Sequence, residues 1–336
     1  MFTDSLKIVL AGRTLDTAQA RQAMGELMDG RATPAQIGAF LAALRVRGET
    51  FVEIVGFARA LRERAVAVKV ARSPLLDTCG TGGDGAGTFN ISTTAAFIAA
   101  GAGAAVAKHG NRCVSSRCGS ADVLEALGVK TDIPPENAAR CVDGAGIGFL
   151  FAPALHPAMK HAAPVRRELG GRTVFNILGP LANPAGARRQ LLGVFAQPLV
   201  PLLARALQEL GSEEAIVVWS RDGLDEFSLA APAVVAHLRG GKIKEYELDA
   251  SSLGLPRCAP GDFAGGDAAK NAEILLSVLQ GGKGPARDIS LLNAGAALVA
   301  AGPAADFKAG LELARDSIDS GRALKSLEAL RRLSHG

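Results

Sequence analysis

One stretch of the sequence decides the fold, and it reads Asp77-Thr78-Cys79-Gly80-Thr81-Gly82-Gly83-Asp84-Gly85-Ala86-Gly87-Thr88. A short strand runs into a loop that carries five glycines in eight positions, and the polar segment 90–94 then begins a helix. The N–H groups of a glycine-rich loop and the positive end of a helix dipole both favour a bound anion. The stretch therefore predicts a strand–loop–helix unit that holds a phosphate group.

The glycine spacing alone does not say which phosphate ligand is bound. Gly80, Gly82 and Gly85 formally match the dinucleotide fingerprint, which also needs an acidic residue about twenty positions further on. No Asp or Glu stands between Asp84 and Asp122, so a nicotinamide or flavin site is disfavoured. No Lys-Ser or Lys-Thr pair follows the last glycine, which excludes an ordinary ATP-binding P-loop.

Apolar runs and helical segments alternate around this unit. The apolar runs lie at 75–79, 104–107, 147–151, 191–195 and 215–219, and two of the helices at about 92–102 and 121–127. This alternation is typical of an α/β fold with a mainly parallel central sheet and helices on both faces. The segments 234–238 and 243–248 flank two glycines, which indicates a hairpin at an edge of the sheet. From about residue 268 the pattern is again that of amphipathic helices.

The first seventy residues show only helical patterns. Thr33-Pro34-Ala35-Gln36 and Thr50-Phe51-Val52-Glu53 are capping-box sequences, and apolar residues follow each at helical spacing. A further helix is expected from about residue 16 to 29, and a linker from 64 to 74. We therefore predict a small all-α domain over residues 1–72 and a larger α/β domain over residues 73–336.

Composition limits the classes of function. A chain of 336 residues suggests about two domains. With 48% hydrophobic and 21% charged residues, the chain can form a large core and is not disordered. The net charge of +4 is spread along the chain, which disfavours a nucleic-acid binder. The apolar stretch 93–107 is shorter than the roughly twenty residues of a membrane span. Five cysteines without a C-x-x-C pair indicate reduced thiols, and we expect a cytoplasmic protein without a membrane partner.

A second polar segment follows the predicted strand 104–107 and reads Lys108-His109-Gly110-Asn111-Arg112. Because the carboxyl ends of parallel strands meet at one edge of a sheet, this segment is expected to face the glycine loop. Lys108 and Arg112 would supply positive charge, and Asn111 a hydrogen-bonding pair. Ser115, Ser116 and Ser120 add hydroxyl groups, although Ser120 equally fits the N-cap of the next helix.

Three further features bear on metal or carboxylate binding. The acidic turn 222–226 could bind Mg²⁺ or be a solvated turn. His156 and His161 are five residues apart, which does not fit a helical zinc site, and no third ligand is evident. Arg166 could hold a carboxylate in a fork geometry or form an ordinary surface ion pair.

Taken together and in this order, the motifs resemble those of the anthranilate phosphoribosyltransferase family over nearly the whole chain. The resemblance includes residues 172–184, which match a long family signature, and the acidic turn, which matches the metal-binding turn. It implies a helical domain, joined by part of 164–184, on an α/β domain shared with nucleoside phosphorylases, and a homodimer formed through the helical part. It also implies transfer of a phosphoribosyl group from 5-phosphoribosyl 1-diphosphate to anthranilate, with Mg²⁺, in tryptophan biosynthesis.

The resemblance also implies roles for single residues. The positions that match phosphoribosyl diphosphate contacts are Gly80, Gly83, Asp84, Thr88, Asn90, Ile91, Ser92, Thr93, Lys108, His109, Gly110, Asn111, Arg112, Cys113, Val114, Ser115, Ser116 and Ser120. Those that match magnesium ligands are Ser92, Asp225 and Glu226, and those that match anthranilate contacts are Gly80, Asn111 and Arg166. Lys108, Asn111 and Arg166 are the expected catalytic residues.

The sequence departs from the family pattern at Cys113, Arg117 and Cys118, changes that keep size or charge. Two alternatives remain at this stage. One is an enzyme of the same fold that acts on another acceptor, such as a nucleoside phosphorylase. The other is a relative that binds nucleic acid without catalysis, which the acidic pair and the small net charge disfavour.

Overall fold

The computed structural model describes residues 2–112 and 117–336. The chain begins with four helices, α1 (Phe2–Leu10), α2 (Thr17–Met28), α3 (Pro34–Arg47) and α4 (Phe51–Glu63). The predicted capping box at α3 is confirmed, because Gln36 N donates to the Thr33 hydroxyl and the Gln36 side chain accepts from Thr33 N. Helix α1 was not among the predicted helices.

A seven-stranded sheet forms the centre of the rest of the chain. Its strands are β1 (Leu75–Gly80), β2 (Ala105–Gly110), β3 (Ile147–Phe151), β4 (Arg189–Gly193), β5 (Glu214–Ser220), β6 (Ala233–Arg239) and β7 (Lys242–Leu248). Their order is β3-β2-β1-β4-β5-β6-β7. Strands β1 to β5 are parallel to one another, whereas β6 is antiparallel to both β5 and β7, and β6 and β7 form the predicted edge hairpin. The predicted α/β fold with a mainly parallel sheet is confirmed.

The remaining helices connect these strands or follow them. They are α5 (Ile91–Gly101), α6 (Ser120–Ala126), α7 (Pro135–Ala145), α8 (Ala152–Leu155), α9 (Ala163–Leu169), α10 (Phe175–Leu178), α11 (Leu199–Glu209), α12 (Ala268–Leu279), α13 (Pro285–Ala301), α14 (Phe307–Asp319) and α15 (Arg322–Ser334). Within residues 2–112 and 117–336, no helix is both long and apolar enough to cross a membrane.

Two hydrophobic cores lie on either side of the sheet. The larger core contains α5, α7 and α12 to α15. The second core joins α1 to α4 to one face of β4 and β5 and to α11. Val165, Phe175 and Leu178 belong to this second core, so the segment from α9 to α10 packs with the N-terminal helices. The carboxyl edge of the parallel strands therefore lies between the two layers.

Two local predictions were wrong. Strand β2 runs on to Gly110, so Lys108 and His109 lie inside the strand and not in the loop after it. Pairing with β3 up to Gly110↔Phe151 supplies the backbone hydrogen bonds that extend it. Ser120 is the first residue of α6, and the N-cap is Gly119, whose N–H donates to Asp122.

Candidate active site

The glycine loop leaves β1 at the carboxyl edge of the sheet and contacts the acidic turn. Gly82 N donates to Asp225 Oδ2 at 3.0 Å. A Cβ atom on Gly80 would lie 2.7 Å from the same oxygen, so a larger residue here would displace the Asp225 carboxylate. Asp84 meets the turn from the other side, with Asp84 Oδ2 3.5 Å from Asp225 N. The two motifs, far apart in sequence, thus form one structure.

The acidic turn is held by hydrogen bonds from β5. The Ser220 hydroxyl donates to the Glu226 carbonyl at 2.6 Å, and Ser220 N donates to the Leu224 carbonyl at 2.9 Å. Asp222 accepts from the Ser228 hydroxyl at 2.6 Å, so its carboxylate stabilises the turn itself. The solvated-turn interpretation therefore fits Asp222 but not the two acidic residues that follow Leu224.

The electrostatics of Asp225 and Glu226 are those of a crowded acidic site. Burial, with the charge of Asp84, raises the pKa of Asp225 to about 7. Burial, with the charge of Asp225, raises the pKa of Glu226 well above its usual range. A cation at this position would favour the ionised forms.

The donor set fits magnesium. Ser92, Asp225 and Glu226 offer only oxygen atoms, the donors that Mg²⁺ prefers, and this ion commonly keeps water and phosphate oxygens as its other ligands. In the part of the chain that the structure describes, no three His, Cys, Asp or Glu side chains are grouped to hold a metal by themselves.

Lys108 brings a positive charge to this acidic site. Its ammonium group is buried, donates to the Thr78 carbonyl and lies 3.4 Å from Ser92 Oγ. Burial lowers the pKa of Lys108, while the charges of Asp77 and Glu226 act in the opposite direction. The ammonium therefore stands between the end of β1 and the start of α5, where a phosphate on the glycine loop would lie.

The residues after Lys108 point in different directions. The His109 ring lies against the His156 ring, with centroids 5.0 Å apart, and burial lowers the pKa of His109 to about 3. The Asn111 carbonyl accepts from the Ser120 hydroxyl at 3.2 Å. Arg112 forms an ion pair with Glu125 and does not turn toward the glycine loop. The predicted positions Cys113, Val114, Ser115 and Ser116 lie outside the described residues.

The start of α5 is fixed by contacts that the sequence analysis did not find. Asn271 Nδ2 on α12 donates to Asn90 Oδ1 at 2.9 Å. Thr88 forms a bridge with Ala264. Ile91 packs in the larger core. Thr93 is also buried, but its hydroxyl has no hydrogen-bond partner among the described residues. Gly83 and Gly110 have no side chain and offer only backbone groups to the site.

Arg166 lies on α9, outside the acidic site. Its guanidinium is half-buried and stacks over the Phe175 ring at 5.1 Å. Burial lowers the pKa of Arg166, and no ion pair among the described residues includes it. A half-buried guanidinium without an acidic neighbour is suited to bind a carboxylate from solution.

Arg172, the first residue of the signature 172–184, places a second cation beside the glycine loop. Its side chain donates to the Gly83 carbonyl and stacks over Phe195 at 4.0 Å. Arg45 on α3 donates to the Arg172 carbonyl at 2.8 Å. The N-terminal helices are thus linked to the glycine loop through one residue.

Comparison with known proteins shows the family. The description "Glycosyl transferase family, helical bundle domain" matches residues 3–65, and "Glycosyl transferase family, a/b domain" matches residues 72–324. The chain is 54% identical over 330 residues to anthranilate phosphoribosyltransferase of Symbiobacterium thermophilum, which covers 98% of this chain and 97% of the relative. It is 56% identical over 339 residues to the enzyme of Thermomicrobium roseum, with coverage of 100% and 97%.

Solved structures agree with the sequence relatives. The anthranilate phosphoribosyltransferase of Thermus thermophilus has a TM-score of 0.94 and 45% identity, covering 99% of this chain and 100% of the other. The Saccharomyces cerevisiae enzyme in complex with PRPP and Mg has a TM-score of 0.91 and 30% identity, with coverage of 99% and 98%. The chain belongs to the anthranilate phosphoribosyltransferase family. It is a glycosyltransferase, and its reaction is part of tryptophan biosynthesis.

Of the residues that the family motifs predict for the active site, the structure brings one group together and leaves others apart. Gly80, Asp84, Ser92, Lys108, Asp225 and Glu226 lie together at the carboxyl edge of β1 and β5. Arg112 lies against α6 with Glu125. Arg166 lies on α9.

Proposed function

We propose that the anthranilate phosphoribosyltransferase reaction of this chain takes place at the carboxyl edge of β1 and β5. In it, the phosphoribosyl group of 5-phosphoribosyl 1-diphosphate moves to anthranilate, giving N-(5-phosphoribosyl)anthranilate and diphosphate. The observation that carries the proposal is the contact of the glycine loop with buried Asp225 and Glu226, opposite the buried ammonium of Lys108. Such a site offers backbone donors and a cation to a diphosphate and oxygen donors to its metal.

Binding of phosphoribosyl diphosphate is assigned to the glycine loop, the start of α5 and the end of β2. The residues are those that the resemblance indicates: Gly80, Gly83, Asp84, Thr88, the segment 90–93, the segment 108–116 and Ser120. Ser92, Asp225 and Glu226 would hold magnesium, which when bound supplies positive charge to the diphosphate. Of the predicted set, Arg112 reaches the ligand only if it leaves its ion pair with Glu125.

Anthranilate is assigned to Arg166, Asn111 and Gly80. The guanidinium of Arg166 would bind the carboxylate through paired N–H donors, and positioning of this kind lowers the barrier by several kcal/mol, up to about 7–11 in the best cases. The aromatic amine is neutral near pH 7, so attack needs no strong base.

The reaction is a displacement at the anomeric carbon of the ribose. The bond from this carbon to the diphosphate oxygen breaks, and the bond to the anthranilate nitrogen forms. The proton that the nitrogen loses passes to solvent. Negative charge develops on the departing diphosphate, where the Lys108 ammonium and the loop N–H groups stabilise it. No nucleophilic serine or cysteine takes part.

The organisation of the chain is proposed from the same resemblance. The small domain comprises residues 1–72 with part of 164–184, in keeping with the second hydrophobic core. Residues 73–336 form the catalytic domain. The chain forms a homodimer through its helical part and acts in the cytoplasm.

The first experiment follows the fluorescence of anthranilate after addition of phosphoribosyl diphosphate and Mg²⁺, with and without EDTA. A rapid loss of fluorescence that EDTA abolishes is expected. If the folded protein binds phosphoribosyl diphosphate but leaves anthranilate fluorescence unchanged, the acceptor is another aromatic compound and the roles of Arg166 and Asn111 are wrong. If EDTA has no effect, the assignment of magnesium is wrong.

A further inference from the structure

Strands β1 and β2 separate before they reach the site. They pair only at Leu75↔Ala105 and Leu76↔Val106. Each strand nevertheless continues with its other neighbour, β1 with β4 up to Gly80↔Gly193 and β2 with β3 up to Gly110↔Phe151. The sheet is therefore split between β1 and β2 over the residues that carry Lys108.

Where β1 and β2 no longer pair, buried side chains make the hydrogen bonds that the facing backbone would otherwise make. Asp77 Oδ1 accepts from His109 N at 3.1 Å, and Asp77 Oδ2 accepts from Asn183 Nδ2 at 2.8 Å. Asn183 Nδ2 also donates to the Ala107 carbonyl at 2.8 Å. The Asn183 oxygen accepts from Ala185 N at 2.9 Å. Two β2 backbone groups that a continuous ladder would pair with β1 are thus paired with one carboxylate and one amide.

Lys108 enters the same split. Its ammonium donates to the Thr78 carbonyl, a β1 group that β2 no longer pairs. Asp77 and Lys108 are both buried, and the charge of Asp77 favours the protonated form of Lys108. If the two strands closed into a regular ladder, the Thr78 carbonyl would accept a backbone N–H, and the ammonium would lose this partner.

We propose that Asp77 and Asn183 are positioning residues that keep β1 and β2 apart and so place the Lys108 ammonium at the phosphate end of the site. The proposal rests on the proposed function, in which Lys108 stabilises the departing diphosphate. Neither residue touches the substrate in this account. Both act through the strands that carry Lys108 and the glycine loop.

The chemistry of the two side chains is specific. Both oxygens of Asp77 accept from N–H groups, so Asp77→Asn would turn an amide NH₂ toward one of these donors. Asn183→Ala would leave the Ala107 carbonyl and one Asp77 oxygen without their shared donor. Either change removes a buried hydrogen bond from the split without altering a group that faces the ligand.

The test measures steady-state kinetics for both substrates in Asp77→Asn and Asn183→Ala. We expect kcat/KM for phosphoribosyl diphosphate to fall about 10- to 100-fold, the effect of a small displacement of a charged group, while the KM for anthranilate stays unchanged. Glu214→Gln is the matched control, because Glu214 is a buried, paired carboxylate at the opposite end of the same sheet. Its kinetic constants should equal those of the wild type.

A double-mutant cycle with Lys108→Met separates positioning from general destabilisation. If Asp77 acts through Lys108, the double variant loses little more activity than Lys108→Met alone. Fully additive losses, or equal rises in both KM values, would overturn the proposal. Circular dichroism establishes whether each variant is folded. If Asp77→Asn does not fold, the same double-mutant cycle is measured with Asn183→Ala and Lys108→Met.

Failure of the proposed function gives a different result. In that case Lys108→Met itself leaves kcat/KM for phosphoribosyl diphosphate at the wild-type value. If Lys108→Met is impaired while Asp77→Asn and Asn183→Ala behave as the wild type, only the positioning inference is wrong.

Discussion

At the scale of single residues, Arg166 is distinguished by what surrounds it. It is half-buried, it stacks on Phe175, and no described carboxylate pairs with it. The exposed Arg221, by contrast, forms an ion pair with Glu247. The cost of burying a guanidinium without a counter-charge is offset when an anionic ligand binds.

Arg166→Ala is therefore expected to raise the KM for anthranilate far more than that for phosphoribosyl diphosphate. A charge-assisted pair contributes about 1.5–3 kcal/mol, which corresponds to roughly a 10- to 100-fold change. Steady-state kinetics with each substrate varied in turn measures the difference. Arg166→Lys is the control, since it keeps the charge but not the paired donors. Its KM for anthranilate should lie between those of the wild type and Arg166→Ala. Equal changes in both KM values would contradict the assigned role.

His156 gives the fold a dependence on pH. Burial lowers the pKa of His156 to about 4, from an ordinary value of 6.5. In the folded chain the imidazole stays neutral down to about pH 4, whereas in the unfolded chain it gains a proton below 6.5. Acid therefore favours the unfolded state between these values, and the free energy of unfolding falls as the pH decreases.

The pH effect of His156 is isolated by comparison with His156→Gln. Asp77 and Asp225, whose pKa values burial raises, act with the opposite sign in the same range, so the wild-type profile alone is a sum. We expect the wild type to lose about 1 kcal/mol more per pH unit than His156→Gln between pH 6 and 4. Urea unfolding at several pH values measures this. Parallel profiles for the two proteins would mean that His156 is protonated in the folded chain.

The residues that the sequence predicted and those it missed differ in how they act. Gly80, Lys108 and Asp225 belong to local patterns of glycine, positive charge and negative charge that chemistry alone makes conspicuous. Arg172, Asn183 and Asn271 act by hydrogen bonds to partners 89, 106 and 181 positions away. Arg172 and Asn183 lie in the signature 172–184, but neither the signature nor a pattern of glycine or charge gave any of the three a role. The sequence therefore predicts groups that face a ligand better than groups that hold them in place.

At the scale of elements, the approach of the acidic turn to the strand ends depends on glycine. A Cβ atom on Gly193, the last residue of β4, would lie 1.5 Å from the Asp225 carbonyl oxygen. Both atoms in this clash are tied to backbone, so neither can rotate away. The ends of β1 and β4 thus fix how near the turn lies to the glycine loop.

Gly193→Ala should displace the acidic turn. We expect the free energy of unfolding to fall by about 1–3 kcal/mol, as for other overpacked sites, and the Mg²⁺ concentration needed for half-maximal activity to rise. Urea unfolding and a magnesium titration of the activity measure the two effects. Gly261→Ala is the control, because a Cβ there meets no atom within 4 Å. An unchanged magnesium requirement in Gly193→Ala would show that the turn does not bind the ion.

Strand ends were the least predictable elements. The apolar pattern of β2 stops at Ala107, yet the strand continues through Lys108 and His109. It continues because β3 pairs with these residues and because both side chains have buried partners, the Thr78 carbonyl for Lys108 and the His156 ring for His109. Sequence periodicity reports only the pattern of apolar and polar side chains. The length of a strand also depends on backbone hydrogen bonds to the neighbouring strand, which this pattern does not show. The hairpin of β6 and β7 was predictable because its turn glycines and its strands are adjacent in sequence.

At the scale of the whole molecule, exposed apolar side chains are concentrated outside the α/β domain. The large exposed ones among the described residues are Leu10, Val46, Val52, Val66 and Leu169. All five fall within 1–72 or 164–184, the segments that we assign to the small domain. Exposed apolar side chains of this kind favour association with another surface, and the proposed homodimer supplies one.

The proposed homodimer is tested by Val46→Glu combined with Leu10→Glu. Val46 is 90% exposed and Leu10 59% exposed, so neither change disturbs the core of the single chain. If these side chains lie in the dimer interface, burying two unpaired carboxylates there costs several kcal/mol for each charge and so shifts the equilibrium toward the monomer. Sedimentation velocity at micromolar concentration should show the wild type as a dimer and the double variant at half that mass. Ala305→Glu is the control, because it adds the same carboxylate at an exposed position of the α/β domain, and this variant should remain dimeric.

Activity of the monomeric variant then separates assembly from catalysis. The described residues of the site, from Gly80 through Lys108 and Arg166 to Glu226, come from one chain. A monomeric Val46→Glu, Leu10→Glu variant should therefore keep its activity per chain, although Arg45 on α3 links the helical part to the glycine loop through Arg172. Loss of activity with retained fold would mean that dimerisation holds this link in place. If the double variant remains dimeric, Leu10 and Val46 are not in the interface, and the interface must lie on another face of the helical part.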